Sequence, residues 1–194
     1  GLLKPWPNTE YRGWYLGDWV PPMGTNPQEP SSIDIVSNSF LSDCYHMMSK
    51  IAKVLGKESD IVTYEQKHKE LNTRIHETFF DAGKNSYASG SQIDLIYPML
   101  VNATPSSLVD AVEKTLFQST AEQHKGHIAT GLVGIAILTQ WATQNQETEF
   151  LYQMLKKRSY PGYLYMIDHG ATLTWEEWDG ERSQLHNCYN AIGS

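Results

Sequence analysis

The densest group of residues able to carry chemistry lies at residues 172–180, where Glu176, Glu177 and Asp179 are interleaved with Trp175 and Trp178. Carboxylates beside indole surface suit general acid–base work, because an apolar surrounding disfavours the charged form of a carboxyl group and so eases proton transfer near neutral pH. The same pattern is also compatible with an acidic surface turn that carries structural tryptophans. Both interpretations stay open on spacing alone.

Two other stretches of the sequence also combine polar and aromatic residues. Residues 182–190 contain His186 and follow the acidic group after a short loop, so His186 could lie beside Glu176. A histidine at the start of a helix is as often structural as functional. Residues 12–19 are rich in glycine and aromatic side chains, which is typical of a hinged binding loop or of an aromatic-packed surface loop.

The familiar signatures of other enzyme classes are missing from the sequence. Cys44 and Cys188 are the only cysteines and have no metal-ligand spacing, and the histidines form no HExxH pattern. There is no GxSxG, Walker or GxGxxG motif either. We therefore expect no metal and no cofactor, which leaves carboxylate chemistry or carbohydrate binding.

Composition limits the partners and the size of the protein. The 194 residues suit one domain, and a net charge of -7 argues against a nucleic-acid partner, since phosphate binding needs clustered Lys and Arg. No apolar run is long enough to cross a bilayer, so we expect no membrane partner. The chain has 11 Tyr and 6 Trp, which can stack on sugar rings but also fill cores.

The elements that must position these groups are predicted to be almost entirely helical. Residues 1–30 are rich in Pro, Gly and Trp and predict an irregular loop region near the active site. Residues 31–158 predict successive helical hairpins, typical of a helical array or an α/α toroid, and residues 159–194 predict a small β-hairpin within 163–174 followed by the catalytic loop. The predicted helices span about 31–55, 59–80, 92–101, 104–116, 131–144 and 147–157.

The first helix has the clearest pattern. Apolar residues recur at intervals of three and four, which predicts an amphipathic helix, with a capping box from Ser31 and Asp34 and a stop at Gly56. In the third helix, Pro98 is expected to introduce a kink or an interruption. The apolar positions of the first helix are Ile33, Val36, Phe40, Cys44, Met47, Ile51 and Val54.

Residues 170–180, with the sequence Gly-Ala-Thr-Leu-Thr-Trp-Glu-Glu-Trp-Asp-Gly, resemble the Gly-Ala-Thr-Thr-x-Trp-Glu-x-Trp-Asp-Gly stretch of the α-L-rhamnosidases of glycoside hydrolase family 78. Leu173 replaces one threonine. The Gly-Asp-Trp of residues 17–19, the phrase around residues 51–57 and the segment 183–186 stand in the family's order across almost the whole chain. The chain is therefore similar to the C-terminal part of that family's catalytic domain.

The resemblance implies an all-α fold, an (α/α)6 toroid, that removes terminal α-L-rhamnose from an oligosaccharide or glycoside with inversion. Inverting glycosidases use two carboxyl groups about 6.5 to 9.5 Å apart, one protonating the leaving oxygen and one activating water. By position in the motif, Glu176 corresponds to the base. The residues implied to contact the sugar are Asp18, Trp19, Trp175, Trp178 and His186.

Two departures from the family limit this expectation. The family's general-acid segment is absent, and Glu10 and Asp18 echo it only superficially, so the acid is expected outside residues 1–194. The loop between Glu177 and His186 is also short. A closed toroid needs roughly twice the helices predicted here, so we expect a single fragment, inactive alone, that requires the remainder of its catalytic domain. A non-catalytic carbohydrate-binding or helical scaffold module and a lyase or epimerase are the alternatives.

Overall fold

A computed structural model describes residues 1–5, 17–22 and 30–182 of the chain. The secondary structure of this part of the protein is almost entirely helical, as expected from the sequence. Two-residue strands form one short antiparallel ladder that pairs Phe80 with Tyr87. The elements are α1 Pro30–Val54, α2 Glu58–Phe79, β1 Phe80–Asp81, β2 Ser86–Tyr87, α3 Gln92–Leu100, a 3-10 turn Ser106–Leu108, α4 Val109–Glu122, α5 Leu132–Gln144, α6 Thr148–Leu155 and α7 Tyr163–Asp168.

The helices form three consecutive hairpins, α1 with α2, α3 with α4 and α5 with α6. The first helices of these hairpins also pack side by side, α1 against α3 and α3 against α5, and so make an inner row. The core is continuous across this row. It contains nearly all of α3, including Tyr97, and the buried ring of Trp141 in α5. Among the described residues, no helix is both long and apolar enough to span a membrane.

Polar side chains tie the inner helices together at their N-terminal ends. The Ser32 hydroxyl, in the first turn of α1, donates to Asp94 Oδ1 in the first turn of α3 at 2.6 Å. Gln92, the first residue of α3, donates to His127 O and accepts from the Ala129 N–H, just before α5 begins. The N-termini of α1, α3 and α5 therefore lie at one end of the row.

The α1 helix is confirmed, but its predicted apolar face is wrong for most positions. Ile35 is fully buried, whereas Ile51 is 44% exposed, and the exposed side of the helix also carries Phe40, Met47 and Val54. The buried polar and small residues of α1 are Ser32, Asn38, Ser39, Ser42, Ser49 and Ala52. The Ser32 hydroxyl donates to Asp94 of α3 and the Ser42 hydroxyl donates to Asn72 of α2, so hydrogen bonds replace some of the expected apolar contacts.

The β-hairpin predicted within residues 163–174 is also wrong in position. Residues 163–168 form α7, whose carbonyls of Tyr165 and Met166 accept from the N–H of His169. Aromatic and β-branched residues suit strands only where a partner strand offers a packed surface, and none lies beside this segment in the described chain. The strands occur instead at the turn cluster that follows α2.

The remaining boundaries differ from expectation by a few residues. Ser31 lies inside α1, and α2 begins at Glu58 after Lys57, which makes no side-chain cap. Pro98 is accommodated within α3, which ends two residues later; the Pro98 carbonyl accepts from the N–H groups of Ala103 and Thr104. Helix ends are the least specified part of any sequence pattern.

The inverted burial of α1 gives a direct test. Ile35→Ala should lower the free energy of unfolding by about 2–5 kcal/mol, because it leaves a cavity in the core. In the isolated chain, Ile51→Ala on the exposed face should change it by no more than about 0.5 kcal/mol. Urea denaturation of the two variants measures both values, and a larger loss for Ile51→Ala than for Ile35→Ala would show that α1 buries the face that its apolar pattern predicts.

Candidate active site

The first turn of α5 receives its hydrogen-bond partners from a distant loop. The residue before the helix is Gly131, which has no side chain to cap the free N–H groups of a helix start. Asp18 supplies the cap instead: Oδ2 accepts from Gly131 N at 2.6 Å and Oδ1 from Gly134 N at 2.9 Å. The carbonyl of Trp19 accepts from Leu132 N at 2.7 Å.

Two glycines make this close approach possible. A Cβ atom on Gly131 would lie 1.9 Å from the Trp19 carbonyl oxygen. Because this oxygen belongs to the backbone, no side-chain movement could relieve the clash. A Cβ atom on Gly134 would lie 2.9 Å from Asp18 Oδ2. The loop itself is constrained, since Val20 adopts a φ of 46°, a strained value for a β-branched residue.

Burial dominates the electrostatics of Asp18. The side chain is 3% exposed, and desolvation raises its pKa to about 6, while hydrogen bonds from the backbone of Gly131, Gly134 and Val133 lower it. The buried carboxyl of Asp94 lies close enough to add to the rise. A negative charge at a helix N-terminus is favourable, but here it only partly offsets the loss of water.

The carboxylate-rich loop is anchored to the same place from the other side. The indole Nε1 of Trp178 donates to the carbonyl of Thr130 at 3.0 Å, one residue before Gly131. Trp178 and Trp175 are 1% and 3% exposed and pack edge-on against Tyr163 and Tyr165, respectively. Both indoles are therefore part of the core, and Glu176, next to Trp175 in the chain, is half-buried.

Glu177 is committed to an ion pair. Its Oε1 lies 2.9 Å from Arg182 Nε, and the Arg182 guanidinium lies 5.8 Å from the centre of the Trp19 ring. Desolvation raises the pKa of Glu177, Arg182 opposes that rise, and the neighbouring carboxylates add to it. Arg182 thus links the Trp19 loop to the carboxylate loop.

Further contacts hold the two loops in register. The Tyr160 hydroxyl donates to the carbonyl of Pro22 at 2.7 Å. His127 lies between the two regions, with Nδ1 at 2.8 Å from Pro161 O and Nε2 at 3.0 Å from Ser159 Oγ. The Gln92 side chain holds the His127 carbonyl at 3.1 Å, so the inner row of helices, the Trp19 loop and the carboxylate loop share one junction.

The structure therefore attaches the loop of Asp18 and Trp19 and the loop of Trp175, Glu176 and Trp178 to the same short stretch, residues 130–134. The roles in sugar binding and catalysis stay predictions. His186 and Glu10 lie outside the described residues. No group of three metal-ligating side chains occurs within the described ranges.

Sequence reasoning missed the residues that hold the site together. Gly131, Gly134, Gln92 and His127 have no catalytic motif, and Arg182 was seen only as part of a polar stretch. The one signal available was the pair of glycines three residues apart at a helix start. Glycine lowers the stability of a helix, so its presence there indicates that another segment of backbone approaches closely.

The chain matches the family model described as the bacterial alpha-L-rhamnosidase 6 hairpin glycosidase domain over residues 4–194. Fold and site thus define a glycosidase domain of helical hairpins. The chain belongs to the bacterial alpha-L-rhamnosidase six-hairpin glycosidase family. The expected all-α, six-hairpin type of fold is confirmed by this match and by the solved structures.

Individual relatives agree with the family. An alpha-L-rhamnosidase of Formosa agariphila is 25% identical over 191 residues, covering 92% of this chain and 20% of the relative. The structure of the alpha-L-rhamnosidase from Dictyoglumus thermophilum superposes with a TM-score of 0.84 at 29% identity, covering 91% of this chain and 20% of that one. The Streptomyces avermitilis alpha-L-rhamnosidase complexed with L-rhamnose gives 0.79 at 22% identity, with 91% and 17% covered. The chain spans about a fifth of the length of these relatives.

The raised pKa of Asp18 makes stability depend on pH in a specific direction. The neutral form is favoured in the folded state, so this contribution is fully present below the ordinary pKa of 3.8 and is lost as pH rises through about 6. Relative to Asp18→Asn, the wild type should lose up to about 3 kcal/mol of unfolding free energy between pH 4 and pH 7, at about 1.4 kcal/mol per pKa unit. Urea denaturation of both proteins across this range measures the difference, and a constant difference would contradict the burial of the charge.

Proposed function

We propose that this chain provides the general-base half of the active site of an α-L-rhamnosidase, with Glu176 as the base. The observation that carries the proposal is the shared junction at the start of α5, where the loop of Glu176 and the loop of Trp19 are both attached. The family membership supports the reaction class, a glycoside hydrolysis.

In the proposed mechanism the Glu176 carboxylate removes a proton from a water molecule, whose oxygen attacks the anomeric carbon from the face opposite the leaving group. A second carboxyl group donates a proton to the glycosidic oxygen, and the configuration inverts. The motif assigns the base to Glu176, and the neighbouring Glu177 is held by Arg182, whose Nε lies 2.9 Å from Glu177 Oε1. Asp18 is a poor acid for this step, since its oxygens face the backbone of α5. We propose that the acid comes from outside this chain, because the family's general-acid segment is absent from the sequence.

Under this proposal Trp19 contacts the sugar, whereas Trp175 and Trp178 support the Glu176 loop. Trp19 is half-buried, with Arg182 over its ring at 5.8 Å from the centre, and we propose that the ring contacts the sugar. An apolar face of this kind suits the methyl group of a deoxysugar. Trp175 and Trp178, predicted as sugar walls, are too deeply buried for that contact and instead hold the Glu176 loop. His186 stays a proposed sugar ligand on the strength of the motif.

We also propose that the rest of the catalytic domain packs against this chain. The described chain supplies three hairpins of a domain type named for six. The exposed apolar residues of α1 recur at intervals of seven, at positions 40, 47 and 54, which is the spacing of a helix-packing seam. We expect a further helix of the complete domain to cover this face.

Catalysis by Glu176 is tested by Glu176→Gln in a protein that carries this chain within its complete domain. The variant should lower kcat on an aryl α-L-rhamnoside by about 10²- to 10⁴-fold, the usual contribution of a general base. Binding of L-rhamnose should be largely retained, because the amide keeps the shape of the side chain. Steady-state kinetics and calorimetry measure the two quantities.

Glu181→Gln is the matched control, since Glu181 lies on the same loop with an exposed side chain. Its kcat should stay within about twofold of the wild type, as expected for a surface substitution. Full turnover in Glu176→Gln would favour a carbohydrate-binding or scaffold module instead. A product without the added mass of water would indicate a lyase or epimerase.

A further inference from the structure

Asp18 connects the Trp19 loop, to which it belongs, with the start of α5. Its carboxylate oxygens accept from Gly131 and Gly134, and its chain neighbour Trp19 is fixed through a carbonyl bond to Leu132. The carbonyl of Thr130, immediately before these residues, holds the Trp178 indole. A movement of this short stretch would therefore displace the Trp19 ring and the Glu176 loop together.

We propose that Asp18 is a positioning residue, which fixes the start of α5 as the common support of Trp19 and of the Glu176 loop and thereby sets their separation. This inference rests on the proposed function for its catalytic consequence. It replaces the sugar contact predicted for Asp18 by an indirect role. The carboxylate acts on the reaction through the backbone of residues 130–134 and through Trp178.

Three observations support a role beyond stability. The cap comes from 113 residues away in sequence, although helices are usually capped by a side chain of the residue that precedes them. The loop that delivers it has a strained backbone at Val20. The buried carboxylate also lowers stability at neutral pH, since burial raises its pKa. Strain and a buried charge persist where the surrounding structure must hold a defined geometry.

The kinetic test is a double-mutant cycle between Asp18→Ala and Glu176→Gln in a protein that carries the complete domain. Asp18→Ala alone should reduce kcat by about 10- to 100-fold, the effect of a base displaced by about 1 Å. In the Glu176→Gln background the same substitution should reduce kcat by about twofold or less, because the base it positions is gone. Asp18→Asn, which keeps one acceptor oxygen and the side-chain shape, serves if the alanine variant does not fold.

Asp110→Ala is the matched control, an exposed aspartate in the first turn of α4. It should leave kcat unchanged in both backgrounds. If Asp18→Ala reduces kcat equally with and without Glu176, Asp18 acts independently of the base, as a sugar ligand or through general destabilisation, and the proposal is overturned.

A second measurement does not depend on activity. Amide hydrogen exchange of Gly131 and Gly134, and of the Trp178 indole, should become at least about tenfold faster in Asp18→Ala, because a tenfold change corresponds to about 1.4 kcal/mol of lost protection. Glu176→Gln should leave these rates unchanged. Unchanged exchange in Asp18→Ala would overturn the positioning role, whereas full activity of Glu176→Gln with faster exchange in Asp18→Ala would overturn only the proposed function.

Discussion

The hydrogen bonds from Gly131 and Gly134, at the start of α5, to the Asp18 carboxylate are the interaction on which the proposed site depends. A helix begins with N–H groups that the helix cannot satisfy, and burying them without partners is costly. In this protein Asp18 and the Trp19 carbonyl provide those partners for Gly131, Leu132 and Gly134. The requirement of one helix start therefore places a loop that lies more than a hundred residues away in sequence.

The same junction explains why the site lies at this end of the fold. The three inner helices begin side by side, and Ser32, Asp94 and Gln92 connect their first turns. The carboxylate loop reaches this end through Trp178 and Thr130. The helical hairpins thus form a rigid base, and the irregular segments that carry the candidate chemistry are attached where the inner helices begin. Function on loops held by a rigid scaffold is a common arrangement.

The sequence predicts the helical class and nearly every helix, because apolar spacing and the positions of Gly and Pro report local structure well. It does not predict which side of α1 is buried. Ile51 and Ile35 are equally apolar, and the difference in their burial depends on how α1 packs against α2 and α3, which includes the hydrogen bond from Ser32 to Asp94. The strand propensity of residues 163–168 was likewise overridden, since a strand needs a partner that this segment lacks in the described part of the chain.

For the site, the motif at residues 170–180 indicates the carboxylate loop, and the Gly-Asp-Trp of residues 17–19 indicates the second loop. Their meeting at Gly131 involves contacts across more than a hundred residues, which no local pattern encodes. The deep burial of Trp175 and Trp178 was hidden for the same reason. A tryptophan beside a carboxylate looks the same in sequence whether it faces a sugar or the core.

The account is tested most directly by a crystal structure of the complete domain with L-rhamnose bound. We predict that the sugar lies between the Trp19 ring and the Glu176 carboxylate, with a water molecule between Glu176 and the anomeric carbon and with Asp18 still bonded to Gly131 and Gly134. A sugar bound away from Glu176, or one whose hydroxyl groups are contacted by the Asp18 carboxylate, would contradict it.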